Sequence, residues 1–176
     1  MALWKIDPDH SVAAFHVRHM MISNVCGQFN SISGVITFDP EDIGESTIDV
    51  EIDASGIFTG IRKRDEHLRS ADFLDVEKHP KMTFKSIRVE PAGPRHFIVF
   101  GELTIRGIKR AVSLDTEYSG PVKDPFEPGT SYGFSASAKI NREEFGMAWN
   151  VGMDGGGFVV GKNLTITLEV EADLAQ

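Results

Sequence analysis

One cysteine, two tyrosines, two tryptophans and a shortage of positive charge mark this 176-residue sequence. With Cys26 alone, no internal disulfide can form, and nothing in the chain asks for an oxidising compartment. The 18 lysines and arginines are outnumbered by 26 acids, for a formal net charge of -8. An acidic surface repels phosphate backbones and anionic bilayers alike. That argues against nucleic acid as a partner and against bulk charge as a route to a membrane. No apolar run approaches the ~20 residues a membrane helix needs, so stable membrane insertion is not expected. The opening, MALWKIDPDH, shows no cationic region followed by an apolar run, and the expected compartment is the cytoplasm. Internal repeats and dividing linkers are missing too. A hydrophobic share of 41% over this length supports one full-sized core, so residues 1–176 read as a single domain.

What is present is alternation. In STIDVEIDA, Ile48, Val50, Ile52 and Ala54 alternate with Asp49, Glu51 and Asp53. SYGFSASAKI sets Tyr132, Phe134, Ala136, Ala138 and Ile140 on one face, and NLTITLEVEA does the same with Leu164, Ile166, Leu168 and Val170. HFIVFGELTI aligns Phe97, Val99, Gly101, Leu103 and Ile105; AVSLDTEYS aligns Val112, Leu114, Thr116 and Tyr118. Strands with one oily face pair antiparallel, because a parallel sheet would be apolar on both faces. Three further strands are less regular. AAFHVRHM presents Phe15, Val17 and His19 on one face. GQFNSISGVITFD changes parity near Asn30 or Ser31, and KMTFKSIRVE changes it between Phe84 and Ile87, as bulges would cause. DPEDIGES, PAGPR, RGIKR and SGPVKDPFEPGT read as turns.

Between the third and fourth strands the alternation fails. From Ile61 to Lys78 the pattern is helical, with Ser70 as N-cap of a short second turn and Pro80 as its stop. NREEFG reads as a one-turn helix capped by Asn141, with Glu144 closing the box and Gly146 as its exit. The expected architecture is all-β: eight antiparallel strands, with a helical excursion between strands 3 and 4. Such a set packs as a sandwich or closes into a barrel.

The motifs HSVAAFHVRHM, FNSISGVITFDP, TGIRKRDEHLRSADFLDVEKHPKMTFKS, GELTIRGIKRAVSL and INREEFGMAWN occur in that order. With them the chain resembles the YceI-like family of lipocalin-like, polyisoprenoid-binding barrels from WKIDPDH to LEVEA. The resemblance implies an eight-stranded barrel with an elongated apolar pore, and as ligand a long-chain isoprenoid, a quinone precursor or a fatty amide. Many members carry a secretory signal. DGGGFVVG, at 154 to 161, is richer in glycine than the family leads one to expect.

The residues agree with such a pore. The inward set is Phe15, Val17, Ile36, Ile48, Val50, Ile52, Phe84, Val99, Leu103, Leu114, Phe134, Ala136, Ile166 and Leu168, with no lysine or aspartate to hold a polar substrate. A long hydrocarbon is held at ~0.8 kcal/mol per buried methylene, so about fifteen give on the order of 12 kcal/mol. Association costs of roughly 4–15 kcal/mol come off that sum, leaving micromolar to nanomolar binding. Small residues at Gly101, Ala136 and Ala138 leave room for a cavity.

The reactive-looking residues have bland readings. Asp72, Asp75 and His79 share a helical face with metal-ligand spacing, but a solvated helix shows the same residues, so no metal and no cofactor is expected. In the structural reading Leu68, Phe73 and Leu74 plug one barrel end, and Arg64 pairs with Asp65 or Arg69 with Asp72. His16 and His19 face opposite sides and cannot share an ion; His19, in phase with Phe15 and Val17, is either a satisfied buried histidine or a partner for a ligand head group. Arg62 and Arg64 are the other head-group candidates. Cys26 reads as a small filler rather than a nucleophile, since no oxyanion loop accompanies it. The GGGFVVG run is followed by a strand, not a helix, so it reads as a hairpin loop and not a phosphate cradle.

The expected function is therefore non-catalytic binding, transport or storage of a lipid. The alternatives are an enzyme acting on an isoprenoid or quinone precursor, for which His19 and Ser86 offer a thin polar cluster, and a filled-barrel interaction protein. An exposed edge or mouth would also serve a homodimer.

Overall fold

The computed structural model describes residues 1–125 and 128–175. Its strands are β1 Ala2–Ile6, β2 Val12–His19, β3 Ser23–Phe29, β4 Ile32–Phe38, β5 Thr47–Asp53, β6 Ile57–Phe58, β7 Lys81–Gly93, β8 His96–Ile105, β9 Ile108–Lys123, β10 Thr130–Asn141 and β11 Val160–Leu174. One helix, α1 Arg62–Arg69, lies between β6 and β7. All pairings are antiparallel.

The strands fall on eight staves, because three staves are broken in two. β2 continues β1, β4 continues β3, and β6 continues β5. The ring closes where β11 pairs on one side with β10, and on the other with β2 and then β1. Closure is the solution open to a set of strands with one apolar face and no second sheet to cover it.

Each break has a local cause. Asp7 to Ser11 interrupts the first stave, where Pro8 has no N–H for a ladder. The Ser11 hydroxyl fills in, donating to the Glu171 carbonyl (3.4 Å) and accepting from the Glu171 N–H (3.1 Å). The second stave breaks at Asn30 and Ser31, where its parity changes. The third breaks at a 3₁₀ turn, Ala54–Gly56, capped by Asp53 accepting from Ser55. In β7 the register slips between Ser86 and Arg88: Ile87 is extruded, 68% exposed, and Val89 returns to the interior.

Several local expectations change. β1 was not anticipated as a strand, yet it supplies Trp4 and the seam. β9 runs on to Lys123 through the first part of the expected turn; of that turn, Phe126 and Glu127 lie outside the described residues. Ser70 starts no second helix. It is the C-cap of α1, its hydroxyl donating to the His67 carbonyl (2.7 Å), and turns follow. NREEFG does form one 3₁₀ turn, with Asn141 accepting from the Glu143 N–H and Gly146 left-handed at φ 76°.

The interior divides into two clusters along the barrel axis. At one end, strand ends from β1, β4, β8, β9 and β10 bring together Trp4, Phe38, Phe97, Tyr118, Tyr132 and Phe134. Their rings meet edge-on, Trp4 with Tyr132 at 4.7 Å and Phe38 with Tyr132 and Phe134 at 5.1 and 5.2 Å. At the other end Phe29, Ile57, Met82, Ile105, Ile140, Phe145 and Met147 pack with Phe73 and Leu74 from the segment that follows α1. Among the described residues no helix is long and apolar enough to cross a membrane.

Candidate functional site

Between the two clusters the barrel is hollow. About 200 Å³ is open to the centre of a water molecule, where a single buried water needs roughly 10–15 Å³ on that scale. Of the fifteen residues expected at the pore, fourteen line this bore: Phe15, Val17, Ile36, Ile48, Val50, Ile52, Phe84, Val99, Leu103, Leu114, Phe134, Ala136, Ile166 and Leu168; His19 does not. Ile6, Phe29, Ile32, Phe38, Met82, Phe97, Ile105 and Val112 join them. Room comes from Ala136, on the lining; at Gly101 it is already taken, since the Phe84 ring lies where a Cβ would stand.

The end bearing α1 is closed by loops rather than strands. Phe73 and Leu74 reach the bore, as expected, and Phe73 meets His67 edge-on (5.1 Å) and Trp149 at a tilt (5.5 Å). Arginine side chains tie these loops to backbone carbonyls. Arg106 donates to the carbonyls of Phe73 (3.0 Å) and Gly146 (2.9 Å), and Arg69 to those of Ser55 (2.7 Å) and Ile57 (2.9 Å). The anticipated pairs Arg64–Asp65 and Arg69–Asp72 are not formed. Asp65, buried, accepts from both the N–H and the hydroxyl of Thr59 (2.9 and 2.5 Å), Arg64 donates to the same Thr59, and Asp72 bonds His67 (2.8 Å).

Arg142 is the residue the expectation missed. It is 2% exposed and lines the bore. Its guanidinium donates to the carbonyls of Gly161 (2.8 Å), Trp149 (3.0 Å), Val160 (3.3 Å) and Met147. Burial pushes its pKa below the usual arginine range, yet four acceptors hold the charged form in place. Among the described residues the lining of the bore therefore contains one cation, and no lysine or aspartate. The signal was available: Arg142 continues the alternation of Tyr132, Phe134, Ala136, Ala138 and Ile140.

The head-group candidates do not gather at the bore. His19, at the end of β2, is half-buried but outside the lining; Arg62 is exposed and bonds Glu66 (2.8 Å), and Arg64 is engaged with Thr59. Cys26 is exposed rather than a filler. Asp72, Asp75 and His79 form no ligand set: Asp75 adopts a left-handed turn (φ 49°) and faces Lys78 at 3.6 Å. Among the described residues Asp7, His10 and Glu171 do cluster within metal-ligand range, but away from the bore, and His10 already bonds Asp7 at 2.6 Å. The Gly152 to Phe158 segment forms a bridged hairpin loop, as its glycines suggested.

Comparison with known proteins matches this architecture. A match to the YceI-like domain runs over residues 4–172. A UPF0312 protein of Serratia proteamaculans is 35% identical over 151 residues, 85% of this chain and 78% of its own. One from Staphylococcus epidermidis is 33% identical over 171 residues, 97% of each chain. Among solved structures, the YCEI protein of Campylobacter jejuni superposes with a TM-score of 0.75 at 31% identity over 90% of both chains. BcnA of Burkholderia cenocepacia gives 0.81 at 21% identity, covering 94% of this chain and 98% of its own. A polyisoprenoid binding domain from Saccharophagus degradans gives 0.69 at 12% identity, covering 99% of this chain and 100% of its own. The last two share the fold.

Proposed function

Because this chain belongs to the YceI-like family, we propose that it binds and carries, without chemical change, a long-chain isoprenoid or a related lipid such as a quinone precursor or fatty amide. The observation that carries this reading is the bore itself: hollow, closed by rings at one end, and lined almost wholly by hydrocarbon. An isoprenoid tail gains free energy in proportion to the apolar area it withdraws from water, and this lining offers such area along the barrel. The polyisoprenoid binding named for the Saccharophagus degradans domain points the same way.

The lining supports carriage rather than catalysis. It offers Ser46, Thr116 and Arg142 as its polar side chains, and none of them is a general base near neutral pH. Solvent extraction of protein purified from its native host, followed by mass spectrometry, is expected to yield one predominant lipid, recovered unaltered after long incubation. Ala136→Trp, which places an indole in the bore, is expected to abolish uptake while the far-ultraviolet circular dichroism is kept. Repeated lipid-free preparations, or uptake undiminished in that variant, would overturn the reading.

A further inference from the structure

Among the described residues one buried side-chain polar atom lacks a partner: the hydroxyl of Ser46. Ser46 is 5% exposed and lines the bore. It immediately precedes β5, whose first residue, Thr47, pairs with Thr37 near the end of β4, and so it sits at the ring-closed end. Its backbone N–H is used, donating to the Ile43 carbonyl (3.1 Å), while its side chain is not. Other buried polar side chains are satisfied within the protein: Thr116 by the Leu114 carbonyl, Ser11 by Glu171, Asp65 by Thr59 and Arg142 by four carbonyls.

A hydroxyl shut away from water without a hydrogen bond is destabilising. If the cargo were hydrocarbon throughout, alanine would serve better at this position. The surroundings also restrict what could complete the bond. The Phe38, Phe97 and Phe134 rings line this end, and the one charged side chain on the lining, Arg142, is at the other. Arg95 lies over the Tyr118 ring at 5.7 Å, off the lining. An anionic group here would be desolvated without a counter-charge. A neutral oxygen would not.

We infer that Ser46 is the polar anchor of the bore: the lipid carries a neutral carbonyl or hydroxyl oxygen, seated against Ser46 at the ring-closed end, with its hydrocarbon chain running toward the α1 end. This deepens, and rests on, the reading of the bore as a lipid site.

The test uses delipidated full-length protein, the Ser46→Ala variant, and three probes of comparable chain length: squalene, a prenyl alcohol and a prenylated benzoquinone. Wild type is expected to bind the two oxygen-bearing probes about tenfold more tightly than squalene, the worth of one buried hydrogen bond. Ser46→Ala is expected to erase that preference and leave squalene affinity unchanged. Lipid-free Ser46→Ala is expected to melt at or above the wild-type temperature, since it loses a group with nothing to bond. An undiminished preference overturns the inference, as does equal weakening for all three probes, or a lipid-free variant that melts well below wild type. Squalene binding without any wild-type preference sinks this inference alone. Failure of every probe, with lipid-free native protein, removes the proposed function as well.

Discussion

The two ends of the barrel are closed by different physics. At one, rings on the strand ends fill the cross-section, with Phe38 meeting Phe97, Tyr118, Tyr132 and Phe134. At the other, the segments around α1 and Arg142–Phe145 are laid across the opening and fastened by arginines to backbone carbonyls. Ring packing is continuous with the sheet and fails only when the sheet does. A carbonyl held by a guanidinium can exchange that donor for water, so the second closure can open while the barrel stands. A carrier needs this difference: one fixed floor and one end that yields.

Substitutions at each end test the contrast. Phe38→Ala, at a side chain 1% exposed, is expected to cost about 3–5 kcal/mol of global stability in urea unfolding. Arg142→Met takes this donor from the carbonyls of Met147, Trp149 and Gly161, while Val160 keeps Asn150 (2.7 Å), and is expected to cost roughly 2–3 kcal/mol. Its amide exchange should rise chiefly in residues 147–161, with β8 and β9 still protected. If Arg142→Met loosened the ring-closed end equally, the two closures would be one cooperative unit. Asp65→Ala removes the acceptor of two Thr59 donors and should cost ~1 kcal/mol, faster exchange being confined to α1.

The smallest effect belongs to His96, on the rim of the ring-closed end. Its hydrogen bond to Asp115 raises its pKa above the ordinary value of about 6.5. A raised folded-state value gives stability that is complete below the unfolded value and fades as pH rises through the folded one. His96→Gln should therefore flatten a shallow fall in melting temperature between pH 6 and pH 8. The pair is exposed and screened, so an equally steep fall in the variant would remove His96 from the account.

Much of this was legible in the sequence because a strand with one wet face writes its orientation every second residue. Ile48, Val50 and Ile52 needed no tertiary information, nor did the slip at Ile87. Arg142 was legible by the same rule, but a charged residue at the end of an apolar series is readily taken for the exit from the core. Phe73, Leu74 and Met147 were harder. Their direction depends on turns held by distant partners, Arg106 across 33 residues to Phe73 among them. His19 shows the limit of parity: it keeps phase with Val17, but the β2–β11 register slips between Val160 and Leu164, and the lining stops short of it.

The seam sets the order of events in folding. β1 has its partners in β4, nearby in sequence, and in β11, where Trp4 faces Leu174. A chain emerging from the ribosome cannot make the second pairing until β11 has been made, and the entropy of closing the long loop between β1 and β11 has to be met at that step. Until the ring closes, the edge of β11 that takes β2 and β1 is open to another copy of the molecule. Pulse-labelling during refolding is expected to find the amides of Trp4 to Ile6 protected last. Dimers formed by exchange of the N-terminal strands should be the principal misfolded product at high protein concentration.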